Sequence, residues 1–245
     1  MLKKRLIISL TFLDGVLFRT KKFKPDYRYT KNFIDLWSID ELILIDISKN
    51  KFSKKFFDVI KYFSTNCHVP ISVGGGIKSL ENANEYFKFG ADKIILGPNS
   101  NLKEDLIKKI SEKYGNQSII QTVDCIKKDN SFVLMRDSGK NFLSNDIILF
   151  CKKSVEMGAG EILVNNIDND GSLLGYDIDL IKLVSEKINC PILALGGAGN
   201  WQHIFELFKN TDISAACTQN IFHFTEESII SAKKFLKSNK IKIRN

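Results

Sequence analysis

Two glycine runs and a handful of strand-end side chains are the residues of this chain best suited to chemistry. Gly74, Gly75 and Gly76 close the segment PISVGGGI, and Gly196 and Gly197 close PILALGG. Glycine after a strand lets backbone N–H groups approach a phosphate at the start of a helix. A tight turn needing positive φ accounts for either run alone. The pair, one in each half of the chain, points to two anion sites facing each other. Asp124 ends SIIQTVD, and Asp170 sits in IDNDGS. A carboxyl group at a strand end is a candidate general acid or base. Asp170, directly before Gly171, also suits a capping turn. Asp46, Gly97, Asp168 and Asn220 follow other apolar runs, and Thr11 lies near the end of the first. A threonine hydroxyl has no useful basicity at neutral pH, so a scheme with two opposed carboxylates lacks a partner at that position.

These residues need a frame that gathers strand ends. Eight short apolar runs alternate with helix-period stretches: RLIISLTF (5–12), ELILIDI (41–47), PISVGG (70–75), DKIILG (92–97), SIIQTVD (118–124), EILVNNI (161–167), PILALGG (191–197) and ISAAC (213–217). Continuously apolar strands suit a parallel sheet covered by helices. Eight of them predict a closed (β/α)8 TIM barrel, with a doubly wound open sheet as the alternative. The barrel is expected to occupy 1–245 as one domain. PISVGGGI at Pro70 and PILALGGAG at Pro191 repeat each other, which predicts an internal half-barrel repeat with Thr11 equivalent to Asp124. After Asp124, the segment CIKKDNSFVLMRDSGKN reads as an inserted hairpin standing over the barrel mouth.

Composition narrows the classes. An apolar fraction of 44% over 245 residues excludes wholesale disorder and supplies a core. The longest apolar run is too short to span a membrane, and the first strand-like run lacks a small-residue cleavage site, so a cytoplasmic protein is expected. Five scattered cysteines and three histidines without ligand spacing argue against a disulfide framework or a metal site, and no cofactor is expected. The net charge of +8 is spread, except for the denser run RTKKFKPDYRYTK from Arg19 to Lys31. That run reads as a mobile loop or as an electropositive lid for an anionic substrate. It lacks a nucleic-acid recognition motif, so nucleic acid is not expected as a partner.

Over nearly its whole length the chain resembles the HisF family, the cyclase subunits of imidazole glycerol phosphate synthase. The matching segments are KRLI and LDG within 4–15, IDELILIDIS (39–48), PISVGGGI (70–77), GADKI (90–94), VD (123–124), DSGK (137–140), GAGEIL and IDNDGSLLGYD within 158–177, LGGAG (195–199) and IFHF (221–224). The resemblance implies a barrel that binds a bisphosphorylated ribonucleotide and takes ammonia from a HisH-type glutaminase docked at its N-terminal face. It implies a catalytic pair at the ends of strands one and five. Asp124 matches the second member, and Thr11 replaces the first. Asp46, Asp170 and Gly171 match the family's substrate-binding positions, with Gly75, Gly76, Gly196, Gly197 and Asn220 around the phosphates. Three departures surround them: Leu195 where a small polar residue is usual, Gly97-Pro98 for Asn-Thr, and Arg19 for a lysine. Pro98 removes a backbone donor, and Arg19 keeps charge but not shape. At the opposite end, Arg5, Glu41, Lys93 and Glu161 all match the family's charged ring gating ammonia, and Asp92 matches a residue facing the glutaminase. Ordinary ion pairing at strand starts is the plainer account of those four charges.

Three functions are therefore weighed. The chain is expected to be an ammonia-conducting partner of a HisH-type glutaminase, of the kind linked to sugar amidation in surface-polysaccharide synthesis, serving an acceptor or a third enzyme. The alternative is an active cyclase (a lyase) of histidine biosynthesis using Asp124 without a carboxylate at position 11. A stand-alone binding barrel is the third.

Overall fold

The computed structural model describes residues 3–28, 38–102, 105–129, 131–219 and 229–244. Eight parallel strands close into a barrel: β1 (Arg5–Leu13), β4 (Glu41–Asp46), β5 (Ile71–Gly74), β6 (Lys93–Leu96), β7 (Ile119–Lys128), β10 (Glu161–Asn166), β11 (Ile192–Leu195) and β12 (Ala215–Thr218). β10 pairs with β7, and β12 returns to β1, so there is no open edge in the ring. That closure excludes the doubly wound alternative. Each predicted apolar run becomes one of these strands.

Four further strands are antiparallel extensions above the mouth. β2 (Val16–Lys21) and β3 (Lys24–Arg28) fold back from β1. β8 (Ser131–Arg136) and β9 (Asn141–Ser144) fold back from β7. The second excursion is the predicted hairpin, widened to three strands by the extension of β7 to Lys128. The first corrects the reading of Arg19 to Lys31 as a loop: its described part is a hairpin, and residues 29–31 lie outside the described residues. Extensions from β1 and β7, the first and fifth strands of the ring, agree with the half-barrel repeat.

Strand periodicity divides the interior into two cores. Ile7, Ile43, Ile95, Ile120, Leu163, Leu193, Ala215 and Cys217 point inward and fill the barrel. Their strand neighbours, including Leu6, Leu42, Ile94, Ile119 and Ile162, point outward and meet the helices. α1 (Lys54–Asn66) shows why the helices lie where they do. Phe56, Val59, Ile60 and Phe63 recur at helical spacing and are buried on the barrel. The helices start on the mouth side with side-chain caps. Ser53 accepts from Phe56 N, and Ser79 accepts from Asn82 N ahead of α2 (Leu80–Lys88). α3 (Leu106–Tyr114), α4 (Ile147–Glu156), α5 (Ile178–Ser185), α6 (Trp201–Asn210) and α7 (Ile229–Ser238) complete the outer layer. Among the described residues no helix is long and apolar enough to cross a membrane.

One buried ion pair fastens α7 to the barrel floor. Lys233 Nζ donates to Asp40 Oδ1 at 2.7 Å, while Asp40 Oδ2 accepts the amide of Leu6 at 2.7 Å. Removing one partner of a buried pair strands the other charge, at about 3–5 kcal/mol. Lys233→Met is therefore expected to lower stability by roughly that amount in urea unfolding, and Lys233→Arg by much less.

Candidate functional site

The barrel mouth holds a cavity of about 980 Å³. Its walls come from strand ends, from the two glycine loops and from both hairpins. Of the residues singled out in the sequence, Thr11, Asp46, Gly75, Gly76, Asp124, Asp170, Gly171, Gly196 and Gly197 all line it. Leu195, Gly97 and Pro98, the departures, line it as well. Asn220 lies outside the described residues. Arg19 is not among the lining residues: its guanidinium is bonded to Asp26 across the β2–β3 hairpin. The cations lining the mouth are Lys22, Lys24, Lys49, Lys51, Lys78 and Lys140. Lys22 and Lys24 belong to the basic run from Arg19 to Lys31 that the sequence offers as an electropositive lid; Lys49, Lys51, Lys78 and Lys140 were not singled out, because single lysines on a basic chain carry no signal of direction.

The two glycine loops are held by different partners. Tyr86 of α2 donates its hydroxyl to Gly75 O at 2.8 Å. Lys51 donates to the carbonyl of Asp46 at 2.5 Å beneath the same loop; burial pushes its ammonium down, against the pull of Asp46. On the other side Gly197 has φ +102°, and a Cβ there would run into the carbonyl oxygen of Gly175. The turn reading holds at Gly197, where the backbone demands glycine, and the same loop faces the cavity.

Asp124 stands at the end of β7. Asn165 Nδ2 reaches its Oδ1 at 3.4 Å, and Thr122 Oγ1 reaches its Oδ2 at 3.3 Å. Burial raises the carboxyl to about 6, outweighing those two hydrogen bonds; the Asp170 charge adds to the rise. A carboxyl poised near neutrality can donate or accept a proton. Across the barrel, Thr11 is buried at the end of β1 and supplies a hydroxyl where a second carboxylate would complete a pair. Between them the walls are apolar: Ile45, Ile95, Leu163 and Leu195. Three buried atoms of the lining residues, Asp46 Oδ2, Asn165 Oδ1 and Thr218 Oγ1, have no hydrogen-bond partner among the described residues. A ligand carrying hydroxyl or amino donors would satisfy them.

The opposite end is closed by charge. Arg5 bonds Glu41 at 2.6 Å and Glu161 at 2.8 Å, and Lys93 bonds the same two carboxylates at 3.1 and 2.8 Å. The four side chains make an alternating, nearly buried ring at the start of β1, β4, β6 and β10. Burial would raise Glu161, but Arg5 and Lys93 hold it below the usual carboxylate range. Burial likewise opposes the Arg5 charge, and Glu161 and Glu41 together overcome it. The exposed Asp92 accepts the amide of Ile71 at 2.8 Å beside the ring. Above the ring, Ile7, Ile43, Ile120, Leu193 and Ala215 pack across the bore. The cavity reaches down to Ser9, Ile95, Leu163 and Cys217. Among the described residues, His, Cys, Asp and Glu form no cluster of three able to hold a metal ion.

A closed ring of eight parallel strands with helices between them, a chamber at the strand ends and a charged floor defines a (β/α)8 barrel protein. A family model described as "Histidine biosynthesis protein" matches residues 11–228. The chain is 32% identical to the imidazole glycerol phosphate synthase subunit HisF of Streptococcus mutans and 34% identical to that of Chlorobium luteolum, each over the full length of both chains. It is 38% identical to that of Chlorobium limicola over 84% of this chain and 82% of the relative. The chain belongs to the HisF family.

The Asp124 geometry makes a signed prediction. A carboxyl raised from an ordinary value near 3.8 to about 6 favours the folded state below the lower value. That contribution is lost as pH rises through the upper one. Asp124→Asn should therefore raise stability at pH 8 by up to roughly 3 kcal/mol. It should also flatten the pH dependence of unfolding between about 4 and 6, measured by urea titration at a series of pH values.

Proposed function

We propose that this chain is a HisF-type subunit that receives ammonia from a HisH-type glutaminase docked on its charged floor. It hands the ammonia to a phosphorylated acceptor, or to a third enzyme, at its mouth. Amidation of sugars for surface polysaccharide, carried out in the cytoplasm, is the use this reading favours. One contrast carries it: the floor ring is complete, with all four charges paired, while of the two matched positions at the ends of β1 and β7 only Asp124 carries a carboxyl group and Thr11 a hydroxyl. The curated relatives named as synthase subunits make a glutaminase partner the natural counterpart for the floor. Docking would open the ring and shift the apolar layer above it, because in the isolated chain both are tightly packed.

The cyclase reading has one specific observation in its favour. Asp124 keeps its place, with a carboxyl group close to neutrality. A cyclase working without its second acid or base loses about 10²–10⁴-fold in rate.

Two assays decide between them. Purified chain mixed with a HisH-type glutaminase should raise glutamine hydrolysis about 10-fold or more, and Glu161→Gln should blunt that rise. Unchanged hydrolysis sinks the docking role. With ammonium salt as nitrogen source, cyclisation of the aminoimidazole ribonucleotide should be very weak, and Thr11→Asp should raise it by about 10²-fold or more if the remaining chamber suits that substrate. Rapid turnover by the unaltered chain would establish the cyclase instead.

A further inference from the structure

A carboxylate is an odd neighbour for a site that takes anions, and Asp170 lines this cavity. Its contacts explain its presence. Asp170 Oδ2 accepts the amide of Phe23 at 2.9 Å, and Oδ1 accepts the hydroxyl of Thr20 at 3.2 Å. Its own carbonyl accepts the amide of Lys22 at 3.2 Å. All three donors belong to the tip of the β2–β3 hairpin, which springs from β1, whereas Asp170 follows β10. The next residue, Gly171, has φ +70°, and a Cβ there would collide with the carbonyl oxygen of Thr20. Lys22 Nζ adds a looser contact to Asp168 at 3.6 Å. The tip of the hairpin is therefore pinned by the loop after β10, while Gln219 Nε2 holds its first strand separately by donating to Phe18 O at 2.7 Å, and Phe23 packs on Val133, Met135 and Ile167. The pinned hairpin carries Lys22, Phe23, Lys24 and Pro25 along the cavity wall, while Arg19 stays with Asp26.

We infer that Asp170 is a positioning residue rather than a ligand of the bound anion: it fixes the β2–β3 hairpin so that Lys24 supplies positive charge to the mouth. Both oxygens of Asp170 are engaged by the hairpin, so the carboxylate already has its donors within the protein. The inference rests on the reading of the cavity as an anion site, but the hairpin attachment can be measured without it.

Two roles for Asp170 predict opposite signs. A carboxylate beside a bound phosphate repels it, so its removal would tighten binding. A carboxylate that holds a lysine in place weakens binding when removed. Asp170→Ala in the full chain is expected to raise the Kd for inorganic phosphate about as much as Lys24→Ala, roughly 5- to 10-fold by calorimetry. The double variant should be no weaker than either single one, because both changes act through the same cation. Asp170→Asn keeps an acceptor for Phe23 N and should recover most of the loss. Hydrogen exchange gives the second reading: the amides of Lys22 and Phe23 should exchange about 10-fold faster in Asp170→Ala, with core strands unchanged. Unchanged exchange at the hairpin tip, or tighter phosphate binding in Asp170→Ala, overturns the inference. Failure of phosphate to bind the unaltered chain would overturn the anion site and the Lys24 role, and faster exchange would then show a purely structural pin.

Discussion

The ring of Arg5, Glu41, Lys93 and Glu161 is the interaction on which the rest of this barrel depends. Four ionised groups at the floor of a nearly closed cylinder are tolerable only as a complete set. Each carboxylate meets both cations, and each cation meets both carboxylates. Taking any one away leaves a buried net charge, whose desolvation is not offset by a partner. The ring also sets register. Arg5 begins β1 and Glu41 begins β4, and Glu41 lies opposite Ile7 in the pairing of those two strands. A slip of one residue would turn a floor charge into the apolar outer layer. Stability alone does not call for such a ring, since well-packed apolar residues close a barrel floor at least as well.

The parallel frame was legible because its strands are buried on both faces and so read as unbroken apolar runs. LILI of β4 and IILV-like stretches elsewhere need no alternation to be recognised. The glycine loops were legible for a related reason, since consecutive glycines directly after such runs mark turns that other residues resist. The β2–β3 hairpin was not. KPDYR of β3 is exposed throughout, has no apolar face, and becomes a strand only by pairing with β2. Its charges signalled a loop because nothing local favours extended structure there. The partners of Asp170 were equally hidden. Thr20 and Phe23 lie some 150 residues earlier in the chain, and no spacing rule joins positions that meet only when two loops cross a barrel mouth. The charges of the floor ring, taken singly, are indistinguishable in sequence from ion pairs at strand starts. It was the likeness to a family that grouped them.

The upper chamber obeys a different logic. Its lower walls are aliphatic, and its titratable group is a carboxyl raised by burial, while its rim carries six lysines. Such a gradient, cationic outside and apolar within, attracts an anion to the rim and admits neutral species to the depth. A second carboxylate facing Asp124 would push one member of the pair toward protonation and make an acid–base couple. Threonine at position 11 supplies no such coupling, and Asp124 is set chiefly by burial, opposed by its hydrogen bonds from Asn165 and Thr122 and helped by the Asp170 charge.

Position 11 and the floor are nonetheless parts of one strand. Arg5 and Thr11 share the inward face of β1, six residues and about 20 Å apart. The intervening inward side chains are Ile7, in the packed layer, and Ser9, at the base of the cavity. A movement of Arg5 that frees Glu41 must tilt or shift the start of this strand, because its backbone is bonded on one side to β4 and on the other to β12. The same strand runs on into the hairpin pinned by Asp170. One continuous element thus carries a floor charge, part of the lining of the bore, Thr11 and the basic hairpin of the mouth. Rigid β structure transmits displacement along its length far better than a set of loops does. Substitution at position 11 changes a side chain at the mouth end of β1 without touching the backbone pairing that holds the strand.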